Sequence, residues 1–232
     1  MNIAIIAAAG QGKRMGGRRA KQFLELAGTP IIIHTLKRFE QCAAIQEIIL
    51  VLPAQDAAGF LALAGRYHLR KLARVVPGGA SRAESVWRGL QSVRAATAEI
   101  IAVHDGVRPF VTGEEIAQTV RAAQKCGAAI LCAPATDTIK EVRDGLVQRT
   151  LPRKALRHAL TPQCFRYELL MKAYKQAKDL SAETTDDSSL VERLNQPVAV
   201  VEGHPRNIKL TRPEDIALAE TLLKSGVWSL ES

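Results

Sequence analysis

The residues best suited to chemistry on phosphates lie in a glycine-rich junction near the N-terminus, Gly10-Gln11-Gly12-Lys13-Arg14, which precedes Lys21. A glycine-rich turn after a strand lets backbone amides approach phosphate oxygens closely. Neither of two common nucleotide motifs is complete, because Met15 stands where a dinucleotide fingerprint needs a third glycine and no GK[ST] ending is present. The junction predicts a nucleotide-phosphate site in which Arg14 and Lys21 neutralise charge during a reaction.

A second group of polar residues follows the fourth predicted strand, in the segment His104-Asp105-Gly106-Val107-Arg108. An aspartate at the carboxyl end of a strand can hold Mg²⁺ or hydrogen-bond a substrate hydroxyl. Arg108 can contact a phosphate or pair with Asp105, and a purely structural Asp–Arg pair is the alternative. His104 is expected to be a buried, hydrogen-bonded histidine outside the catalytic set.

Three later stretches combine hydroxyl, carboxylate and ammonium groups beside apolar segments. Each could be only a turn or a helix cap, because Thr, Asp and Ser favour N-caps. Asp186 and Asp187, for example, could be first-turn charges that satisfy a helix dipole. Their joint presence is suggestive of further site residues, and the stretches are 134–140, 184–189 and 207–211.

The elements that must position these residues alternate along the chain. Short apolar runs bounded by Gly, Pro, Asp or His predict buried strands, and the segments between them have helical spacing. Alternation about every 25 residues implies crossover connections. The predicted fold class is α/β, a Rossmann-like, mostly parallel sheet with helices on both faces. The strands are Asn2–Ala8, Glu47–Leu52, Ala73–Val76, Ile100–Val103, Ala128–Ala133 and Val198–Val201, and the helices are Pro30–Cys42, Gln55–His68, Ser81–Ala95, Gly113–Lys125, Arg166–Lys178 and Pro213–Lys224.

The alternation breaks at about residues 138–152, where a projecting β-arm is predicted. Two short strand-like runs, Ile139–Arg143 and Leu146–Arg149, flank Asp144-Gly145, and Asp-Gly is a strong signal for a two-residue hairpin turn. An isolated hairpin is marginal in water, so the arm is expected to pack on another surface. A second copy of the chain is the natural candidate, and we therefore predict a homodimer.

Length and composition indicate one domain spanning residues 1–232. No apolar run approaches the 18 residues that cross a bilayer, and the N-terminus lacks a basic leader. We therefore expect no membrane insertion and a cytoplasmic protein. The four cysteines, at positions 42, 126, 132 and 164, form no CxxC pair, so they are expected to be buried thiols rather than disulfides or zinc ligands.

The formal charge of +9 raises the possibility of a nucleic-acid-binding module. Five cations lie within the nine residues from Lys13 to Lys21, but the stretch is threaded with glycines and lacks the aromatics that stack bases. A solvated basic loop is the alternative for this cluster taken alone. The pattern favours a compact phosphate ligand over nucleic acid.

A series of motifs occurs in order along almost the whole sequence. They are Ala7–Met15 followed by Ala20-Lys21-Gln22-Phe23, Gly78-Gly79 with Arg82 and Ser85-Val86, His104–Pro109, His158–Gln163, Thr185-Asp186-Asp187, and Asn207–Asp215. In these motifs the chain resembles the 2-C-methyl-D-erythritol 4-phosphate cytidylyltransferases of the non-mevalonate isoprenoid pathway.

The resemblance implies that the 4-phosphate of 2-C-methyl-D-erythritol attacks the α-phosphorus of CTP and that pyrophosphate leaves. Mg²⁺ would be held mainly by the CTP phosphates, with Asp105 a possible ligand. By position, Arg14 and Lys21 match residues that stabilise the transition state. Arg153 and Lys209 match residues that place the acceptor phosphate, Arg153 reaching across a dimer. Acceptor contacts would come from Asp105, Arg108 and Thr138, and nucleotide contacts from Ala8, Ala9, Gly10, Gly12, Gly79 and Ser85.

Two residues depart from the family pattern, namely Ala20, where proline is usual, and Ala80, where some members carry aspartate. Neither removes a charged group from the implied reaction. The chain ends at Ser232, from which we expect the single-activity form. The main rival is a ribitol 5-phosphate cytidylyltransferase, which shares the glycine loop and the HDxVRPF stretch. The segments Thr185–Asp187 and Asn207–Asp215 favour the methylerythritol reading.

Overall fold

A seven-stranded mixed sheet organises the chain in the computed structural model, which describes residues 1–10, 20–177, 180 and 186–225. Six of its strands are parallel to one another, and β10 runs antiparallel to both of its neighbours. The strand bounds are β1 Asn2–Ala7, β4 Glu47–Leu52, β5 Leu72–Pro77, β6 Ile100–Asp105, β7 Ala128–Pro134, β10 Arg157–Arg166 and β11 Ala199–Glu202, in the spatial order β11-β7-β10-β6-β1-β4-β5. Two short pairs lie outside this sheet, β2 Glu25–Leu26 with β3 Thr29–Pro30, and β8 Lys140–Arg143 with β9 Leu146–Thr150.

Helices cover both faces of the sheet. The helix bounds are α1 Ile31–Gln41, α2 Ala54–Gly65, α3 Arg82–Gln91, α4 Gly113–Cys126, α5 Tyr167–Gln176, α6 Ser188–Glu192 and α7 Pro213–Lys224. Because side chains alternate across a strand, Ala4 and Ile6 pack on one face with α1, α2 and α4, while Ile3 and Ile5 pack on the other with α3, α5 and α6. This arrangement confirms the predicted fold class. None of the helices in the described ranges combines the length and apolarity that crossing a membrane requires.

The central strand β10 was not predicted from the sequence. It contains Pro162, and a proline inside a run ordinarily argues against a central strand because proline has no N–H to donate. The pairing of β10 with β7 shifts register between Ala159 and Gln163, so Pro162 falls in the irregular part. A bulge of this kind admits proline while the strand pairs on both sides.

The projecting arm is present where the sequence predicted it. Strands β8 and β9 pair antiparallel and are joined by Asp144 and Gly145, whose φ angles of 52° and 77° are those of a type I′ turn. Three large apolar side chains on the arm are exposed: Val142 by 56%, Leu146 by 69% and Val147 by 61%.

Several local predictions need correction. Cys126 is exposed, whereas Cys42, Cys132 and Cys164 are buried as expected. Pro30 lies at the N-cap of α1 rather than at its first helical position. At α3 the Ser81 hydroxyl accepts from the Glu84 amide, but the Glu84 carboxylate accepts from the amide of Ala80, so a capping box is only half formed there. A complete capping box, which the sequence analysis missed, joins Thr112 and Glu115 at α4.

Candidate active site

A cleft of about 570 Å³ opens at the carboxyl ends of β1 and β6. Strand pairing creates it, because Ala7 at the end of β1 lies opposite Asp105 at the end of β6. In parallel sheets, ligands bind at such strand ends. The cleft is lined by Ala7, Ala8, Ala9, Gly10, Lys21, Gln22, Gly79, Ala80, Ser81, Arg82, Ser85, Asp105, Val107 and Lys209.

The N-terminus of α3 and the loop before it form one wall of this large cleft. Ser81 caps the helix by accepting from the amide of Glu84 at 3.0 Å. The Ser85 hydroxyl accepts from the Gly79 amide at 3.0 Å and donates to the Ser81 carbonyl at 2.8 Å. A Cβ on Gly78 would overlap the Cβ of Ala9, so glycine lets the two loops approach closely.

Asp105 is the centre of a cluster of ion pairs that also lines the cleft. Its Oδ1 accepts from Arg82 Nε at 2.9 Å, and its Oδ2 lies 2.9 Å from Lys209 Nζ and 3.4 Å from Arg108 Nε. Only 7% of the Asp105 side chain is exposed. One buried carboxylate therefore gathers cations from α3, from the loop after β6 and from the segment before α7.

A second carboxylate extends the cluster into the core. Arg82 Nη1 lies 2.8 Å from Asp187 Oδ2, and the other oxygen of Asp187 accepts from the Tyr174 hydroxyl at 2.6 Å. The Gln163 side-chain oxygen accepts from the amide of Asp187 at 3.0 Å. Asp187 is thus a buried counter-ion of Arg82 rather than a first-turn helix charge, and it makes no side-chain capping bond at α6.

The charges fix the protonation states of these groups. Burial alone would raise the pKa of Asp105, but Arg82, Lys209 and Arg108 outweigh it and hold the pKa well below its usual range. Burial opposes the charge on Arg82, yet Asp187 and Asp105 raise its pKa. Burial and the neighbouring Asp187 raise the pKa of Tyr174 well above its usual value. The Asp105 carboxylate and the Arg82 guanidinium are therefore charged, and Tyr174 keeps its proton.

A smaller cleft of about 190 Å³ adjoins the large one. It shares Arg82, Asp105 and Lys209 with the large cleft, so the ion cluster forms the wall between them. Its remaining lining offers one cation, one hydroxyl and one side-chain amide together with one more carboxylate, which suits a phosphorylated polyol. These residues are Arg108, Ala159, Leu160, Thr161, Gln163 and Asp186.

A hydrogen-bonded frame supports the cluster from behind. The Thr161 hydroxyl lies 2.9 Å from His104 Nδ1, and His104 Nε2 lies 3.1 Å from the Arg108 carbonyl. Asn207 donates to the Thr161 carbonyl at 2.9 Å and accepts on its backbone oxygen from Arg108 at 2.7 Å. Burial lowers the pKa of His104 to about 3. His104 is thus the buried, hydrogen-bonded histidine that the sequence predicted.

The predicted site residues fall into three groups. Arg14 and Gly12 lie outside the described residues. Thr138 and Arg153 are exposed on or beside the arm and belong to the lining of neither cleft; Arg153 donates to the Thr136 carbonyl at 2.6 Å. The others meet at the two clefts: Ala8, Ala9, Gly10, Lys21, Gly79, Ser85, Asp105, Arg108 and Lys209.

Arg82 has no predicted role although it stands in a quoted motif, and Asp187 is predicted only as a possible first-turn helix charge in a stretch suggestive of site residues. Their partnership spans 105 positions in the sequence, so only the fold brings them together. The sequence signal that could have suggested this ion pair is Arg82 at the start of α3, because that end of the helix lies at the carboxyl edge of the sheet.

Within the described ranges, no three His, Cys, Asp or Glu side chains are grouped to hold a metal ion. Asp105 in particular has both oxygens engaged by cations, whereas a Mg²⁺ ligand needs an oxygen free to face the metal. The protein residues therefore do not form a dedicated metal site around Asp105.

The chain is similar over nearly its whole length to proteins of one family. The family model described as 2-C-methyl-D-erythritol 4-phosphate cytidylyltransferase (IspD) matches residues 2–225. A protein of that name from Bacillus licheniformis is 45% identical over 221 residues, covering 95% of each chain. A Geobacillus thermodenitrificans protein of the same name is 45% identical over 224 residues, covering 97% of each chain.

Solved structures agree with the sequence comparisons. The 4-diphosphocytidyl-2C-methyl-D-erythritol synthase of Anaerococcus prevotii has a TM-score of 0.84 at 32% identity, over 96% of each chain. The 2-C-methyl-D-erythritol 4-phosphate cytidylyltransferase of Thermus thermophilus has a TM-score of 0.75 at 33% identity, over 95% of this chain and 96% of that one. The resemblance inferred from the motifs is confirmed, and the chain belongs to the 2-C-methyl-D-erythritol 4-phosphate cytidylyltransferase family.

Proposed function

We propose that this enzyme transfers CMP from CTP to 2-C-methyl-D-erythritol 4-phosphate in the two adjoining clefts, giving 4-diphosphocytidyl-2-C-methyl-D-erythritol and pyrophosphate. The observation that carries the assignment of the clefts is the shared wall of Arg82, Asp105 and Lys209. A nucleotide in the large cleft and a phosphorylated polyol in the small one would meet at this wall. Family membership supports a nucleotidyltransferase of isoprenoid precursor synthesis.

CTP is proposed to occupy the large cleft. The backbone of Ala8, Ala9 and Gly10 can approach phosphate oxygens, and the region around Gly79 and Ser85 can take the base. The Ser85 hydroxyl accepts a hydrogen bond from the Gly79 amide and so holds this region of the cleft in place. A pocket lined largely by backbone can reject a larger purine by shape.

The acceptor is proposed to occupy the small cleft. Lys209 and Arg108 lie on the same oxygen of Asp105 and can turn their remaining donors to the acceptor phosphate. Thr161, Gln163 and other polar groups of the lining can hydrogen-bond hydroxyls. Phosphate would thus face the nucleotide, while the polyol faces β10.

The proposed reaction is an in-line displacement. An oxygen of the acceptor phosphate forms a bond to the α-phosphorus of CTP, and the bond from that phosphorus to pyrophosphate breaks. Such reactions depend on positioning and on stabilising developing negative charge. Lys21 lines the large cleft and is proposed to stabilise this charge together with Arg14. Mg²⁺, as proposed cofactor, would be carried by the triphosphate and would neutralise part of its charge.

A homodimer is proposed to complete the acceptor site. Thr138 and Arg153 line neither cleft of their own chain but lie at the exposed arm, whose apolar side chains suit burial against a partner. A reaction in the cytoplasm is also proposed, since all four cysteines are free thiols. No nucleic-acid partner is proposed, because the basic stretch from Lys13 to Lys21 lacks the aromatic residues that stack bases.

The test is pyrophosphate release from CTP and Mg²⁺ with 2-C-methyl-D-erythritol 4-phosphate, with ribitol 5-phosphate and ATP as controls. Release restricted to CTP and methylerythritol phosphate is expected. Turnover of ribitol 5-phosphate alone would keep the chemistry and change the acceptor. That alternative is not favoured, since the family model and the relatives compared all name methylerythritol phosphate.

A further inference from the structure

Arg82 joins two buried carboxylates that belong to different parts of the fold. Its Nε lies 2.9 Å from Asp105 Oδ1 at the end of β6, and its Nη1 lies 2.8 Å from Asp187 Oδ2 at the start of α6. The side chains of Asp105 and Asp187 are 7% and 1% exposed. A planar guanidinium presents its donors in a fixed fork. The position of Asp187 therefore sets the orientation of the Asp105 carboxylate.

Asp187 is itself held rigidly. The Tyr174 hydroxyl of α5 donates to Asp187 Oδ1 at 2.6 Å, and the Gln163 side chain of β10 accepts from the Asp187 amide at 3.0 Å. Neither Tyr174 nor Asp187 lines either cleft. Both lie behind Arg82, and the Asp187 carboxylate, which accepts from the Tyr174 hydroxyl, reaches the clefts through Arg82.

With Oδ1 committed to Arg82, Asp105 has Oδ2 left for Lys209 and Arg108. We infer that Arg82 is a positioning residue of the transfer reaction: anchored by Asp187 and Tyr174, it fixes Asp105 so that Lys209 and Arg108 are aimed at the acceptor phosphate. The inference rests on the proposed function, because it assigns the small cleft to the acceptor. It adds a role for three residues in the core-facing half of the cluster.

A double-mutant cycle separates positioning from direct contact with substrate. The variants are Arg82→Lys, which keeps the charge but loses the fork, Asp105→Asn, and the two together. Arg82→Lys is expected to lower kcat/KM for the acceptor roughly 10- to 100-fold, with KM for CTP changed less than about twofold. In the Asp105→Asn background, Arg82→Lys should lower kcat/KM for the acceptor by less than about a further twofold.

If the loss of kcat/KM in the double variant equals the product of the two single losses, the inference is overturned, because Arg82 would then act independently of Asp105. A rise confined to KM for CTP would also overturn it. Arg121→Lys is the matched control: Arg121 is exposed on α4, pairs with Glu114 and lies outside both cleft linings. Its kinetics are expected to equal those of the wild type.

A second set of variants guards against misfolding. Removing Arg82 alone would leave Asp187 buried and unpaired, which is strongly destabilising. The pair Arg82→Gln with Asp187→Asn removes both charges together, and Tyr174→Phe removes only the hydroxyl. The double variant and Tyr174→Phe are each expected to show a cooperative thermal unfolding transition, as folded proteins do. Each is expected to have a lower kcat/KM for the acceptor, and the double variant is expected to lose more than Tyr174→Phe. Wild-type acceptor kinetics in the folded pair would contradict the inference.

The proposed function is tested separately in the same assay. Wild-type turnover of CTP with methylerythritol phosphate is measured first, and its absence would reject the proposed function itself. Wild-type turnover together with unchanged Arg82 variants would reject only the positioning role.

Discussion

At the scale of single residues, Asp105 organises the site by gathering cations that would otherwise repel one another. Arg82, Arg108 and Lys209 come within hydrogen-bonding or ion-pair distance of one carboxylate. A phosphate group can compete with Asp105 for Arg108 and Lys209, because the carboxylate already holds both cations close together. The two readings of Arg108 left open by the sequence are therefore compatible, since pairing with Asp105 holds it where a phosphate could meet it.

Lys21→Ala is the residue-scale prediction for catalysis. Lys21 lines the large cleft at the start of a short 3-10 helix. If it acts on charge that develops in the transition state, kcat should fall roughly 100- to 1,000-fold with little change in KM for CTP. Steady-state kinetics give the split. Lys125→Ala, at an exposed position of α4, is the control. An equal loss confined to KM would mean ordinary ground-state binding instead.

His104 gives the residue-scale prediction for pH. Burial lowers its pKa to about 3, whereas an unfolded histidine titrates at about 6.5. Between these values the unfolded chain binds a proton that the folded chain does not, so stability falls as the pH is lowered. From pH 7 to pH 5 this group should cost about 2 kcal/mol of unfolding free energy.

His104→Asn is expected to remove that part of the pH dependence, which urea unfolding at pH 7 and pH 5 can measure. The pKa of His34 is also lowered by burial, but its effect is common to both proteins and cancels in the difference. Thr221→Ala, which removes no titratable group and lies at an exposed position, should keep the wild-type pH dependence. An unchanged pH dependence in His104→Asn would contradict the assignment.

At the scale of elements, apolar runs predicted the strands that are buried and regular. Glu47–Leu52 was predicted at its observed bounds, and the run beginning at Ile100 differs only in extending through Asp105. The arm was predicted because Asp144-Gly145 can adopt two positive φ angles. Strand β10 was missed because its proline is tolerated only through a register shift with β7. That shift depends on how the two strands pair and cannot be read from the sequence of β10 alone.

The capping box of α4 gives the element-scale prediction. The Thr112 hydroxyl accepts from the Glu115 amide at 3.0 Å, and the Glu115 carboxylate accepts from the Thr112 amide at 2.8 Å. Thr112→Ala should cost about 1 kcal/mol of stability and leave turnover unchanged, since Thr112 lines neither cleft. Urea unfolding measures the loss.

Thr221→Ala is the matched control for the capping box. Its hydroxyl donates to the Ala217 carbonyl within α7 and caps nothing. Alanine is a better helix former than threonine, so this variant should be as stable as the wild type or slightly more so. Equal losses in the two variants would show that the box contributes nothing specific.

At the scale of the whole molecule, the sheet brings segments that are distant in the sequence together at one edge, whereas the arm lies outside the sheet. Sequence motifs identified the glycine loop, Asp105 and Lys209 because each is a local pattern of residue types. They did not pair Arg82 with Asp187, because that ion pair depends on a contact made only in the fold. Thr138 and Arg153 differ from these residues. The resemblance implies that both contact the substrate, but neither lines a cleft of its own chain.

Leu146 and its neighbours on the arm link this geometry to the proposed dimer. Leu146 is 69% exposed in the isolated chain, and an exposed apolar strand favours association. If the arm packs on a partner, Arg153 of one chain would serve the cleft of the other. A chain lacking Lys21 and a chain lacking Arg153 would then each supply what the other needs.

Co-expressing Lys21→Ala and Arg153→Ala chains under different affinity tags tests this directly. With random pairing, half of the dimers are mixed and each mixed dimer has one intact site of two, so activity should recover to about a quarter of the wild-type level. A site built within one chain would give no recovery, because every site would lack one of the two residues. Mixed dimers carrying Leu61→Asp, whose position on α2 is exposed by 56% and away from the arm, should still recover. Those carrying Leu146→Asp should not, since the charge would oppose burial of the arm.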